Sequence, residues 1–118
     1  MAKADILFDK TEFVLRMVEK QAMTMNIRAE NIQTVTFQPA QERKLFKKVD
    51  SEVMILKMSG GMPGPGGNGM PILKSAFENK EKGSWDKMKK NMLNFVKKNN
   101  ITLHEETEMW TPPSMGEN

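Results

Sequence analysis

Few side chains in this sequence are of a type that does chemistry. There is no cysteine and a single histidine, His104. A hydrolytic triad, a multi-histidine zinc site and a Cys–His pair are therefore nearly excluded, and so are disulfides and thiolate metal sites. Two carboxylate pairs remain, Asp50 with Glu52 and Glu105 with Glu106 beside His104. Either pair is of the right type for acid–base work. Tuning a carboxylate requires a rigid, enclosed setting, and neither stretch of sequence promises one, so His104 is expected to be an exposed side chain. Twelve methionines raise the question of thioether binding of Cu(I). Met23 with Met25, and Met54 with Met58, each share a face. Methionine more often fills irregular cores, and without cysteine the copper ligand set has no support. No catalytic centre, metal or cofactor is expected.

Residues 59–71 hold six of the eight glycines and three of the six prolines. This Gly/Pro run, Ser59 to Pro71, cannot continue a helix or a central strand and is expected to be a flexible loop. A phosphate-cradling loop would end in Gly-Lys-Ser/Thr and lead into a helix. Lys74-Ser75 lacks that glycine, and the prolines remove backbone donors. Met62, Pro63, Met70 and Pro71 offer apolar contacts, so the loop is a candidate partner-binding element as well as a plain connector.

The more pronounced signal is basic. Across residues 72–100, eight lysines face only Glu78, Glu81 and Asp86, although the whole chain carries a net charge of only +3. Lys87, Lys89, Lys90, Lys97 and Lys98 form a candidate polyanion-binding face, suited to nucleic-acid phosphates or an anionic lipid surface. The competing reading is a solvated helix face partly offset by Glu105, Glu106, Glu108 and Glu117. Trp85 and Phe95 belong to a buried stripe, so the aromatic platform expected for single-stranded nucleic acid is missing.

The elements that position these residues follow from periodicity. Ile6–Phe8 and Phe13–Val18 read as a hairpin around Asp9-Lys10-Thr11, with Phe13, Leu15 and Met17 on one face. Met23, Met25 and Ile27 mark a third strand. Arg28–Asn31 suits one helical turn that Ile32 tucks onto the sheet. Gln33–Gln38 follows as a strand ended by Pro39. Leu45–Val49 and Glu52–Met58 read as a second hairpin around Asp50-Ser51, and Ile72–Phe77 as a further strand. Ser84 is placed to cap a helix whose stripe is Trp85, Met88, Met92, Leu93, Phe95 and Val96, with Lys97 and Lys98 in its last turn. Asn99-Asn100 suits a left-handed cap, and Ile101 with Leu103 a final strand.

Strands in series followed by one amphipathic helix predict an α+β fold. The expected form is an antiparallel, strand-rich bent sheet or partial barrel closed by the C-terminal helix. Residues 1–105 are expected to form a single domain and 106–118 a frayed tail. The layout resembles bacterial pleckstrin-homology-like and GRAM-like domains. The residues that carry the likeness are the strand–turn–strand passage Met25–Val35, the run Glu52–Met58 and the helix Trp85–Asn100. The resemblance implies a binding or oligomerisation module without a catalytic centre, and it transfers no functional residue. The chain holds no apolar run of the length of a secretory signal or a membrane helix, so a soluble, cytoplasmic protein is expected. The function expected is a noncatalytic binding or assembly module engaging protein or itself, the alternative being polyanion binding through the lysine-rich helix.

Overall fold

Alternating apolar and polar side chains set the first sheet. In the computed structural model, which describes residues 3–18, 20–59, 69–78 and 82–111, β1 (Lys3–Phe8), β2 (Glu12–Val18) and β3 (Ala22–Arg28) pair antiparallel in that order. Phe13 and Leu15 of the middle strand are fully buried, whereas Arg16 on the opposite face is exposed. Arg16 sits directly across from Asp5 and donates two bonds to its carboxylate, at 2.8 and 2.7 Å. The strand begins at Lys3, ahead of Ile6, because this cross-strand pair extends the ladder. A 3-10 turn at Ala29–Asn31 follows, and Ile32 is buried beneath it as the spacing predicts.

The second sheet consists of β4 (Ile32–Lys44), β5 (Lys47–Met58), β6 (Met70–Leu73) and β7 (Thr102–Glu105), in the order β6-β5-β4-β7. β7 runs parallel to β4 and the other pairings are antiparallel. The molecule is α+β, but its two sheets stay open, so no barrel closes among the described residues.

Three further boundaries differ from expectation. Pro39 does not end β4. In an extended strand one residue's N–H and C=O point to the same side. The carbonyls of Phe37 and Pro39 accept the amides of Glu106 (3.0 Å) and Trp110 (2.7 Å). The side of Pro39 that lacks a donor thus faces away from β5, beyond Phe37↔Glu105, where the β7 ladder stops. Second, the β4–β5 reversal is at Leu45-Phe46. Asp50 and Ser51 lie inside β5 opposite Gln41 and Ala40, because the register runs unbroken from Thr34↔Lys57 to Lys44↔Lys47 and overrides the turn preference of Asp-Ser. Third, the strand expected over Ile72–Phe77 stops at Leu73, and Lys74–Glu78 forms a short helix, α1, that buries Ala76 and Phe77. Gly69 leads into β6 at φ +118°, where a Cβ would stand 2.7 Å from Ile55 Cγ2 and 3.2 Å from the Leu56 carbonyl. Only glycine fits there.

Helix α2 (Ser84–Lys98) buries Trp85, Met88, Met92, Phe95 and Val96, the stripe read from its spacing. It spans both sheets. Phe95 packs on Phe8 and Phe13 of the first sheet, with ring centroids 5.7 and 5.3 Å apart. Trp85 packs edge-on against Phe37 of the second sheet and Phe77 of α1, at 6.0 and 5.4 Å. These two anchors lie about 15 Å apart along the helix axis, and each adds roughly 2–3 kcal/mol of apolar burial. Ser84 does not supply the cap: the N-cap is Gly83, at φ 89°, and no side chain of the cap residue bonds there. The free amides are met from α1 instead, where Glu78 accepts Gly83 N–H (2.9 Å) and Trp85 N–H (2.7 Å). The C-terminus follows expectation, with Asn100 left-handed at φ 56° and Lys97 and Lys98 in the last turn. From Glu106 the chain continues beside β4 to Trp110, with the two amide bonds just described. Of the expected tail, residues 112–118 lie outside the described residues.

Candidate binding surface

The five candidate lysines separate once the helix is placed. At 3.6 residues per turn, Lys87, Lys90, Lys97 and Lys98 fall within an arc of about 100°, and all four are exposed. Lys89 falls outside that arc, beside the buried stripe. Its Nζ pairs with Glu52 Oε2 at 2.5 Å and sits 4.9 Å above the Phe37 ring. Glu52 accepts the indole N–H of the fully buried Trp85 with its other oxygen, at 2.7 Å. Lys89 is thus a structural clamp between α2 and β5, while the other four share an outward arc, with Lys98 bordering an open groove that Phe8 and Phe95 also line. Counting charges along the sequence does not reveal this division, because the partner that draws Lys89 inward lies on a distant strand.

Of the candidate loop residues, Met62 and Pro63 lie outside the described residues. Met70 and Pro71 belong to β6, where they pair with Leu56 and Ile55, Met70 half-buried and Pro71 exposed.

The two carboxylate pairs come together. Asp50, Glu52, Glu105 and Glu106 line one open groove of about 360 Å³, with Lys74 at its border. The parallel pairing of β7 with β4 creates this meeting, which no spacing in the sequence announces. The groove is neither enclosed nor vacant of partners, since both oxygens of Glu52 are engaged. No group of three or more His, Cys, Asp or Glu side chains is arranged to hold a metal ion among the described residues. His104 is exposed on the β7 edge, opposite Thr36.

A further surface was not evident from the sequence. Among the described residues β6 pairs only with Val53–Leu56 and β7 only with Thr34–Phe37. Beyond these partners β4 and β5 run on as a two-stranded ribbon that reverses at Leu45-Phe46. At its root Ala40 is buried, and Glu42 anchors the ribbon to α1 by accepting Ser75 Oγ (2.5 Å) and Ser75 N–H (3.3 Å) together with Ser51 Oγ (2.6 Å). At its tip Leu45 is 91% and Phe46 101% exposed. Leu45 also adopts φ 55°, a left-handed conformation that glycine takes at no steric cost. Arg43, Lys47 and Lys48 beside the tip are exposed. The sequence signal for this surface is an apolar pair enclosed by basic residues, Arg43-Lys44 before and Lys47-Lys48 after, five residues ahead of the turn that Asp50-Ser51 suggests.

Comparison with protein-family models, with curated proteins and with solved structures finds no match to this chain.

Proposed function

We propose that this protein is a noncatalytic binding or assembly module that engages its partner through the β4–β5 hairpin. The observation that carries this reading is the tip: two large apolar side chains stand almost fully in water at the end of a ribbon that the rest of the fold holds out. Scattered exposed apolar residues are ordinary. Here, however, Leu45 also accepts a backbone conformation that disfavours it, so two local rules are broken at one turn with no gain in packing. Such coincidences mark positions shaped by function more than by stability. A noncatalytic role agrees with a carboxylate groove that is open and partly satisfied by structural bonds. The pleckstrin-homology-like layout belongs to the same reading, since strands in series lead to a helix laid across them, although β7 after the helix departs from it.

The test compares material that co-purifies from cells with the intact chain and with a Leu45→Gly/Phe46→Ser variant. Gly-Ser suits a two-residue turn with positive φ at its first position, so the variant should keep the hairpin while removing its apolar tip. At least one species, whether protein, lipid or nucleic acid, should be enriched on the natural chain and lost from the variant. Identical co-purifying material would refute the reading.

A second reading is favoured by one specific observation, the shared exposed arc of Lys87, Lys90, Lys97 and Lys98. It makes α2 a polyanion-binding face. Binding would then weaken steeply as salt rises and vanish when these four residues are changed to glutamate. Salt-insensitive binding, or binding that survives the charge reversal, would eliminate it.

A further inference from the structure

Resting on the reading of the hairpin as the engagement element, we infer that its partner is an anionic lipid bilayer, with Leu45 and Phe46 entering the interface and Arg43, Lys47 and Lys48 meeting the headgroup phosphates.

Shape is the first argument. The apolar area is two side chains at the end of a two-stranded ribbon, a convex point. A stable protein interface needs about 800 Å² from each partner, much of it closely packed, and a point of this kind supplies a small part of that. A bilayer receives a convex apolar point without needing a matching cavity.

Charge supports the same partner. The register sets Arg43 directly opposite Lys48. Like charges facing one another across an antiparallel pair oppose hairpin formation. An anionic surface relieves that repulsion and draws in each basic residue near it. Of the acidic groups, Glu42, one pair behind Arg43, has its carboxylate bonded to Ser51 and Ser75, while Asp50, Glu52, Glu105 and Glu106 line the groove at the root. A surface of negative charge therefore attracts one end of the hairpin and repels the other, which sets the tip-down orientation.

Dimensions agree. From Gln41 to Leu45 the ribbon extends about 13 Å at the rise of a strand, whereas interfacial elements bury their apolar part about 5–10 Å into the headgroup and acyl boundary. Insertion to that depth leaves Arg43 and Lys48, two to three residues behind the tip, at the level of the phosphates and keeps the acidic root in water. Leucine beside phenylalanine suits acyl chains. Recognition of nucleic acid would call for stacking side chains, of which the tip has one.

The experiment is co-sedimentation of the intact chain with phosphatidylcholine vesicles, alone or mixed with phosphatidylglycerol. Partitioning should be about ten-fold or more stronger on the mixed vesicles and fall as salt rises. The Leu45→Gly/Phe46→Ser variant, checked by thermal unfolding to be as stable as the natural chain, should lose about ten-fold or more. Lys47→Gln/Lys48→Gln should weaken binding and flatten its salt dependence. Changing Lys87, Lys90, Lys97 and Lys98 to glutamine should weaken partitioning less than the tip variant does, since the hairpin and not α2 makes the proposed contact. Because the chain has no cysteine, Phe46→Cys gives a unique labelling site. An environment-sensitive dye there should shift to the blue on mixed vesicles, and the same dye on Lys87→Cys should not. Equal partitioning on both vesicle types, or partitioning that follows the α2 lysines and ignores the tip, overturns the inference. If vesicles fail while a protein or nucleic acid still co-purifies in a tip-dependent way, the lipid assignment falls and the hairpin reading stands. If nothing depends on the tip, both fall.

Discussion

Glu78 should act as the remote cap of α2, and substituting it should cost more than substituting Ser84, the residue at which the helix begins. Its carboxylate accepts two backbone amides, Gly83 N–H at 2.9 Å and Trp85 N–H at 2.7 Å. Loss of a helix cap costs about 0.5–2 kcal/mol, and loss of a negative charge near the positive end of the helix dipole adds about 0.3–1 kcal/mol before solvent screening reduces it. Glu78→Ala should therefore destabilise by about 1–2 kcal/mol, or roughly 4–8 °C in Tm for a domain of this size. Ser84→Ala, which removes no capping bond, should stay within about 0.5 kcal/mol. Glu78→Gln keeps an acceptor and loses the charge, so it should fall between the two. The bonds to Trp85 and then to Gly83 hold the Glu78 carboxyl below the usual carboxylate range, aided by Lys74 and Lys82 and opposed by partial burial. A folded-state value below the unfolded one, about 4.3, means that the stabilisation is complete above the unfolded value. It is lost as pH falls through the folded one. Thermal unfolding followed by circular dichroism should thus show the gap between natural chain and Glu78→Gln wide at neutral pH and closing in acid. A gap that widens in acid, or Glu78→Ala and Ser84→Ala melting together, would refute the capping argument.

Two further expectations come from the core. Glu52→Ala strips the partner from the buried Trp85 indole and from Lys89, and urea unfolding should show a loss of about 2 kcal/mol. Glu52→Gln, which still accepts the indole bond, should lose about half as much, and equal stability of both with the natural chain would dissolve the clamp. Gly69→Ala places a Cβ 2.7 Å from Ile55 Cγ2 at a φ of +118°. A loss of about 2–3 kcal/mol is expected in the same assay, and an unchanged midpoint would mean that β6 docks differently.

What could be read from the sequence was what short-range periodicity dictates. Phe13 and Leu15 alternate with Val14 and Arg16, Ile32 follows a turn of polar residues, and Trp85, Met88, Met92, Phe95 and Val96 repeat at helical spacing. Each reading depends on neighbours within a few positions, and each matches the burial found. The misread features depend on distant partners. Pro39 is tolerated because of where Glu106 and Trp110 place their amides, and Asp50-Ser51 remains extended because Gln41 and Ala40 lie across from it. Lys89 leaves the lysine face because Glu52 is thirty-seven residues away in sequence and 2.5 Å away in space. The tip at Leu45-Phe46 was the most legible of the missed features. An apolar pair between two basic pairs is visible in the sequence, and only the misplaced turn concealed it.

The parallel pairing of β4 with β7 also governs the order of assembly. β5 follows β4 after two residues and can zip to it at once, whereas the strand that covers the other edge of β4 is synthesised about seventy residues later, a separation that slows closure through its loop entropy. Until Thr102–Glu105 emerges from the ribosome, the backbone groups of Thr34–Phe37 on that side lack their ladder partner. A chain stalled before Thr102 would present an open strand edge to its neighbours, the kind of template on which nascent chains aggregate. The last seam of the sheet is thus closed by residues synthesised after the whole of α2.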